Sequence, residues 1–538
     1  MSISSKIKFI SNSVFQYGAK DFFLRSIEHL NTNSIDHKYQ QTHTLYLPSQ
    51  EALIIQSKES FDYSPLYSIV VPAYETKPIF LRELVDSVIS QTYSNWELWI
   101  ADASNSSIVY DTLQEYTDKR IRYHKLSKNL SISENTNAGF SLATGDYIAL
   151  LDHDDTLVEN ALYEMTKKLN ECDTKPDMIY SDEDKLISDS GIYTSPSFKP
   201  DINYEFIKHV NYICHFLIFS KSYYKKMGGL DKHYDGAQDF EFVLRALAAG
   251  AKIEHIPKIL YHWRIHPEST ASNPQSKLYA FENGKKAIDD YLVKIGESGS
   301  SSLTKDLGYY TVKYNLQNDN TIKLCVLYNS ENQKKHLQKL ESKCSNICIE
   351  YIEATSFMSY ETSINYDYIL ITQNNTYPIT KNWDLILVSI CSHNHIGAVG
   401  AKILQSNNKN ANCGFTYSSD KIVPIGYNLP KYYHGYAHRA DTTQNVSIID
   451  FSFALLSKDI YSKLEFDKTL SGTNLSTDLS FQIRSLGLQL INTSDVVVKN
   501  PISSLPSYAL DTSLQTKWSN YLCSYDPAYN PNLFSLLQ

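Results

Sequence analysis

Between Tyr67 and Trp263 the chain alternates short apolar, β-rich runs with stretches whose apolar residues recur at helical spacing, and this alternation constrains the fold most. Strands are expected at Ser68 to Val71, Glu97 to Ala101, Ile121 to His124 and Tyr147 to Leu151. Leu81, Leu84, Val85 and Val88 mark one helix face between the first two, and Val158, Leu162, Met165 and Leu169 mark another just after the fourth. A further helix carries Phe240, Val243, Leu244 and Leu247 on one face, ahead of strand-like segments ending at Tyr261 to Trp263. Such a pattern builds an α/β fold, a mainly parallel sheet covered by helices, with ligands gathering at the C-terminal ends of the strands.

At 538 residues the chain exceeds one ordinary core, and two main domains are expected. Apolar residues make up 42 % and charged residues 20 %, so the chain can bury a sizeable core. A net charge of -9 argues against nucleic acid as a partner, and an anionic substrate must then be held locally. The 8 cysteines show no CxxC pair and no regular spacing, so neither a disulfide framework nor a zinc site is suggested, and free thiols in a reducing cytosol fit best. No apolar run is long enough to span a bilayer, and the N-terminus has no signal-peptide core. The segment Ser5 to Leu30 mixes Lys6, Lys8, Lys20 and Arg25 with Phe9, Ile10, Phe15, Phe22 and Phe23. It would suit a membrane surface, although a helix packed on the protein is the plainer reading. A cytoplasmic chain, with peripheral association at the inner face of the plasma membrane, is the expectation.

The polar stretch ESGSSSLT, Glu297 to Thr304, reads as a linker, and a second α/β pattern starts at Ile322. Residues 1–64 then form an N-terminal helical segment, 65–296 a first domain and 305–538 a second. The two halves read as a diverged repeat. DYIALLDHDDT from Asp146 resembles DYILITQNNT from Asp367, and Asp239 precedes Arg245 by the interval at which Asp478 precedes Arg484. In this alignment His262 matches Lys499.

Three carboxylates crowd the LLDHDDT segment, where Asp152, Asp154 and Asp155 follow an apolar strand. Clustered oxygen donors attract a divalent cation such as Mn²⁺ or Mg²⁺; capping of a helix accounts for one aspartate but not for three. At the first strand's end stand Pro72, Ala73 and Tyr74, and at the second strand's end Asp102, which can accept the imide N–H of a pyrimidine or simply open a turn. Asp239 in GAQDFEFVLR sits at a helix start, where a cap is the bland reading, and His262 in YHWR lies on a strand end, where a satisfied core histidine is the bland reading.

Taken together, VVPAY, IADAS, LDHDD, YSDEDK at Tyr180 to Lys185, GAQD, and YHWR with Ser269 and Thr270 following resemble family 2 inverting glycosyltransferases of the GT-A fold, over about Tyr67 to Ala271. The YSDEDK and YHWR elements are similar to the branch that builds rhamnose-rich and other bacterial surface polysaccharides. The resemblance implies a catalytic GT-A domain at 65–296 and a degenerate, non-catalytic GT-A-like domain at 305–538. It implies that Asp102 binds the base, Asp152 lies near the ribose and diphosphate, Asp154 and His262 hold the metal, and Asp239 is the general base. Pro72, Ala73 and Tyr74 would complete the donor nucleotide site. The implied partners are a nucleotide-sugar donor, UDP- or dTDP-linked, and a lipid-linked or polymeric glycan acceptor, bound by loops around Phe198 to Asn211. Two departures stand out: Ala101 replaces the first acid of the usual double-aspartate turn, and Gln238 stands where glutamate is common. The competing readings are a sugar-phosphate nucleotidyltransferase, whose glycine-rich loop is replaced here by PAYETK, and a non-catalytic nucleotide- or glycan-binding scaffold.

Overall fold

The computed structural model describes residues 35–266, 278–317, 320–354, 356–360, 366–501 and 509–537. The basic, aromatic segment Ser5 to Leu30 and the pair Ser269 and Thr270 lie outside the described residues. The chain divides into two compact units, one made of Asp36–Ile202, Val210–Lys313 and the tail from Asn530, the other of Asn203–His209 and Tyr314–Tyr529.

In the first unit, β1 (Tyr67–Ala73), β2 (Trp96–Asp102), β3 (Ile121–Lys125) and β4 (Tyr147–Leu150) lie where the apolar runs place them. They pair in parallel in the order β3-β2-β1-β4. The side chains of β1, β2 and β4 are buried on both faces, with Ile69, Val70, Val71, Leu98, Ile100, Ile148 and Ala149 fully covered, whereas the edge strand β3 is largely open. Each such valine, leucine or isoleucine contributes roughly 1.5–3 kcal/mol. Helix Pro78–Ile89 lays Leu81, Leu84, Val85 and Val88 on the sheet, as their spacing requires.

Beyond β4 the sheet is mixed rather than mainly parallel. Strands β5 (Thr156–Leu157), β6 (Met178–Ile187), β7 (Ile192–Ser197), β8 (Leu217–Ser220) and β9 (Ile253–Ile265) continue it as β4-β8-β6-β9-β5, with β7 beside β6. β8 runs antiparallel to both β4 and β6. Only β6 and β9 pair in parallel here. The short β5 separates the aspartate cluster from helix Ala161–Glu171, so the cluster precedes a strand and not a helix. The stretch read as a linker is also ordered otherwise: β10 (Gly299–Leu303) pairs with β11 (Tyr310–Tyr314). Ser301 fixes it by donating from its N–H and hydroxyl to Asp289 Oδ1 at 2.6 and 2.7 Å.

The second unit repeats the first over seven strands, with no counterpart of β3 among the described residues. Its sheet contains β12 (Ile322–Tyr328), β13 (Ile347–Glu353), β14 (Tyr368–Thr372), β15 (Tyr377–Pro378), β16 (Ile396–Leu404) and the short β17 (Asn410–Asn412). After a separate hairpin of β18 (Phe415–Tyr417) and β19 (Ile422–Pro424) come β20 (Gln444–Asn445), β21 (Phe453–Ser457) and β22 (Gln489–Lys499). The order β13-β12-β14-β21-β16-β22-β15 matches β2-β1-β4-β8-β6-β9-β5. The antiparallel insertion of β21 falls at the same place as that of β8. Small contacts repeat too. Asp146 Oδ2 accepts the Leu66 N–H at 2.9 Å, and Asp367 Oδ2 accepts the Lys323 N–H at 2.7 Å. β5 sets Thr156 opposite His262, and β15 sets Tyr377 opposite Lys499, so the register equates His262 with Lys499 as the repeat requires.

Candidate active site

The carboxylate loop 151–155 leaves the C-terminal end of β4, and the chain's own contacts shape it tightly. Asp155 is 1 % exposed. Its Oδ1 accepts the Arg264 N–H at 2.7 Å, and its Oδ2 accepts the Tyr261 hydroxyl. Arg264 also donates from Nε to the Asp154 carbonyl and pairs with Glu83 at 2.5 Å. Tyr261 lies flat against His215, with ring centroids 4.7 Å apart and planes 9° apart. The YHWR strand is thus a clamp for the DHDD loop.

Carboxylate oxygens of Asp152 and Asp155 and a ring nitrogen of His215 lie within 4.8 Å of one another. Burial first, then the like charge of Asp154 and Asp152, pushes the Asp155 carboxyl well above its usual range. Desolvation, and then the carboxylates of Asp154 and Asp239, raise that of Asp152 as well, with His215 opposing. The Asp152 side chain keeps 43 % of its surface open, so like charge is the firmer of these causes. Crowded anionic oxygens beside an imidazole are a donor set suited to Mn²⁺ or Mg²⁺, and a cation there relieves the repulsion.

This grouping differs from the expected ligand pair of Asp154 and His262. Asp154 and His262 are engaged elsewhere: Asp154 Oδ2 lies 2.8 Å from His266 Nε2, and His262 Nδ1 lies 2.5 Å from Asp184 Oδ1. The physical reason is strand alternation, which sends consecutive side chains of β9 to opposite faces. Tyr261 meets Asp155 and His215, so His262 turns to the other face, where Asp184 also accepts the Tyr39 hydroxyl at 2.7 Å. His262 is 5 % exposed and behaves as a satisfied core histidine.

Asp102 is likewise not an open acceptor. It is fully buried, its Oδ1 accepts the Ser104 N–H at 2.8 Å, and its Oδ2 accepts from the Tyr123 hydroxyl at 2.8 Å and Lys125 Nζ at 2.9 Å. An imide N–H would join these three donors on a carboxylate that is closed to solvent in this structure. Ala101 is fully buried, and the helix backbone at Gly139 packs close on it: a Cβ on that glycine would meet the Ala101 Cβ at 3.2 Å. Pro72 and Ala73 end β1, and Tyr74 stands 44 % exposed. Beside them Glu75, at φ 48°, accepts the N–H groups of Asn105 and Ser106 at 2.7 and 3.0 Å. Ser104 Oγ accepts the Glu75 N–H at 2.7 Å in return. The sequence reading missed Glu75; its signal, an acid directly after PAY, is weak in isolation.

Asp239 is in the first turn of helix Gln238–Ala248, but the N-cap is Ala237 and no side chain caps the helix. Asp239 instead accepts Asn211 Nδ2 at 3.0 Å on Oδ2, and its charge reaches Asp152. Gln238 accepts the Gly236 N–H at 2.7 Å, a task its amide oxygen performs as well as a carboxylate would. A separate recess of about 460 Å³, lined by Glu134, Lys232, Glu241, Arg245 and Lys294 among others, holds none of these groups. Its Arg245 is already bound to Glu241 at 2.8 Å.

In the second unit Gln373, Asn374 and Asn375 occupy the places of Asp152, His153 and Asp154, and the Thr376 N–H donates to the Gln373 carbonyl as that of Asp155 does to Asp152. Asp478 does not start its helix. It lies midway along Gly472–Ser485, fully buried, accepting from Trp518 Nε1 at 2.7 Å, Lys517 Nζ at 2.8 Å and Gln482 Nε2 at 2.8 Å.

A parallel-then-mixed sheet with a carboxylate loop at the end of its fourth strand is the frame of a GT-A-type nucleotide-sugar domain. The particular family follows: residues 68–228 match Glycosyl transferase family 2, and the chain carries a domain of that family. An uncharacterised protein, y4gI, of Sinorhizobium fredii is 38 % identical over 237 residues, 43 % of this chain and 26 % of that protein. The O-antigen biosynthesis protein RfbC of Myxococcus xanthus is 32 % identical over 267 residues, 49 % of this chain and 20 % of that protein. The Escherichia coli UDP-Glc:alpha-D-GlcNAc-diphosphoundecaprenol beta-1,3-glucosyltransferase WfaP is 29 % identical over 229 residues, 41 % of this chain and 86 % of that protein. The chain thus spans about a quarter or less of the length of the first two relatives.

Proposed function

We propose that the first unit transfers a sugar, with inversion, from a UDP- or dTDP-sugar to a hydroxyl of a growing bacterial surface polysaccharide. The observation that carries this reading is the gathering of Asp152, Asp155 and His215 within 4.8 Å of one another at the end of β4, inside the stretch that matches Glycosyl transferase family 2. The names of RfbC and WfaP support the substrate class, and the lipid diphosphate in the latter's name supports a lipid-linked acceptor met at the inner face of the plasma membrane. Among the described residues no helix is long and apolar enough to cross a membrane.

Asp152, Asp155 and His215 would hold Mn²⁺ or Mg²⁺, with Asp154 one residue from the site and bound to His266. Bound there, the cation supplies Lewis-acid stabilisation of the leaving diphosphate. Asp239 takes the proton from the acceptor hydroxyl, and the Asn211 amide, fixed on Oδ2, leaves Oδ1 for that proton. Exposed Tyr74 offers a face for the base, on a loop that Glu75 stitches to residues 104–106. The direct test is transfer from UDP- and dTDP-sugars to a diphosphate-linked glycan with Mn²⁺, Mg²⁺ or chelator. Turnover unaffected by chelator defeats the metal-dependent reading, and no turnover with any donor defeats the enzymatic one.

For the second unit, the scaffold reading is favoured by one observation: Gln373, Asn375 and Thr376 stand in the places of Asp152, Asp154 and Asp155. We propose that residues 305–538 form a domain that binds glycan or nucleotide without turnover.

A further inference from the structure

The segment Asp182, Glu183, Asp184 in β6 brings three acids into the interior, at 0, 6 and 0 % exposure. Asp184 is spent on His262 and Tyr39, and Asp182 on His255 and Asn530, at 3.0 and 2.8 Å. Glu183 has a different set of partners. Its Oε2 lies 3.1 Å from Lys199 Nζ and also accepts the His215 N–H at 3.0 Å. Lys199, with a side chain 1 % exposed, donates to the carbonyls of Ser181 and Ile213 at 2.7 Å each and to that of His215. The two members of one buried ion pair thus take both the N–H and the C=O of His215. Between Ile213 and His215, Cys214 stands at φ 37°, a left-handed conformation that a residue with a side chain adopts only when its surroundings impose it.

We infer that the Glu183–Lys199 pair is a positioning device for His215, fixing the loop that presents its imidazole to the carboxylate cluster. This rests on the metal reading above. A buried ion pair seldom adds net stability over an apolar pair of the same volume, so stability alone is a poor account of a lysine held here. The pair's geometry is directed at one residue, and that residue's ring lies on Tyr261, whose hydroxyl holds Asp155. A displaced His215 backbone would therefore disturb two groups of the cluster at once.

The test is Mn²⁺ alone, titrated by electron paramagnetic resonance into the full chain and into Glu183→Gln, Lys199→Met and His215→Ala. We expect His215→Ala to weaken Mn²⁺ binding, and Glu183→Gln and Lys199→Met to weaken it roughly tenfold or more, as loss of an outer support does at metal sites. Glu183→Gln keeps the side chain's shape and an acceptor oxygen, so it carries the test if Lys199→Met does not fold. Wild-type Mn²⁺ affinity in Glu183→Gln, with weakened binding in His215→Ala, overturns the positioning role, even if the melting temperature falls. Wild-type affinity in His215→Ala overturns the metal reading itself.

Discussion

Asp239 is the residue whose removal separates binding from chemistry most cleanly. Asp239→Asn keeps an acceptor for Asn211 Nδ2 but cannot take a proton, so kcat should fall by roughly 10² to 10⁴ while calorimetry shows donor binding retained. Near-normal turnover would demote it to a residue of the helix start. The carboxylates of Asp152 and Asp155 make a second, pH-dependent statement. Both are raised in the folded chain. The folded state therefore binds their protons more tightly than the unfolded chain, and stability falls as pH rises from the unfolded value of about 4 through the raised folded value. Mn²⁺ competes for the same oxygens once the protons leave. The rise in melting temperature caused by Mn²⁺ should grow from pH 5 to pH 7, and Asp152→Asn should flatten it; a rise independent of pH would remove these oxygens from the site. At this scale the sequence was only partly legible. The cluster of aspartates was visible as local charge, but His215, some sixty residues on, enters only through a loop whose path no local pattern reveals.

Strands and helices were the most legible level, because buried apolar runs and helical spacing are local. What escaped was polar: β6 carries three interior acids in YSDEDK, and β10 is built from serines, so neither shows an apolar alternation. His262 poses a different difficulty. Its strand was evident, but which face of β9 meets the loop depends on pairing with β5 and β6. Among the elements, the two loops after β1 and β2 act together through Glu75, whose carboxylate the Ser106 hydroxyl and N–H and the Asn105 N–H hold below its ordinary range. Glu75→Ala should free the two loops from one another, raising the donor KM severalfold with kcat nearly unchanged, since it removes binding common to ground and transition states. An equal loss in kcat would place Glu75 in the chemical step instead.

For the whole molecule, the two units share one strand order but not one chemistry. Asp478 is locked by Lys517, Trp518 and Gln482, so Asp478→Asn should lower the melting temperature of the full chain and leave kcat/KM within about twofold, because substitutions that touch only a buried structural network act on stability. A loss of turnover like that of Asp239→Asn would reveal a second working site. The matched latches of Asp146 and Asp367, each holding the amide at the start of its first strand, carry the last consequence. Because the same bond is made once in a frame with carboxylates and once in a frame with amides, the molecule contains its own reference state. Whatever a paired substitution does equally in both copies belongs to the ancestral scaffold, and whatever it does in one alone belongs to what that copy has since become.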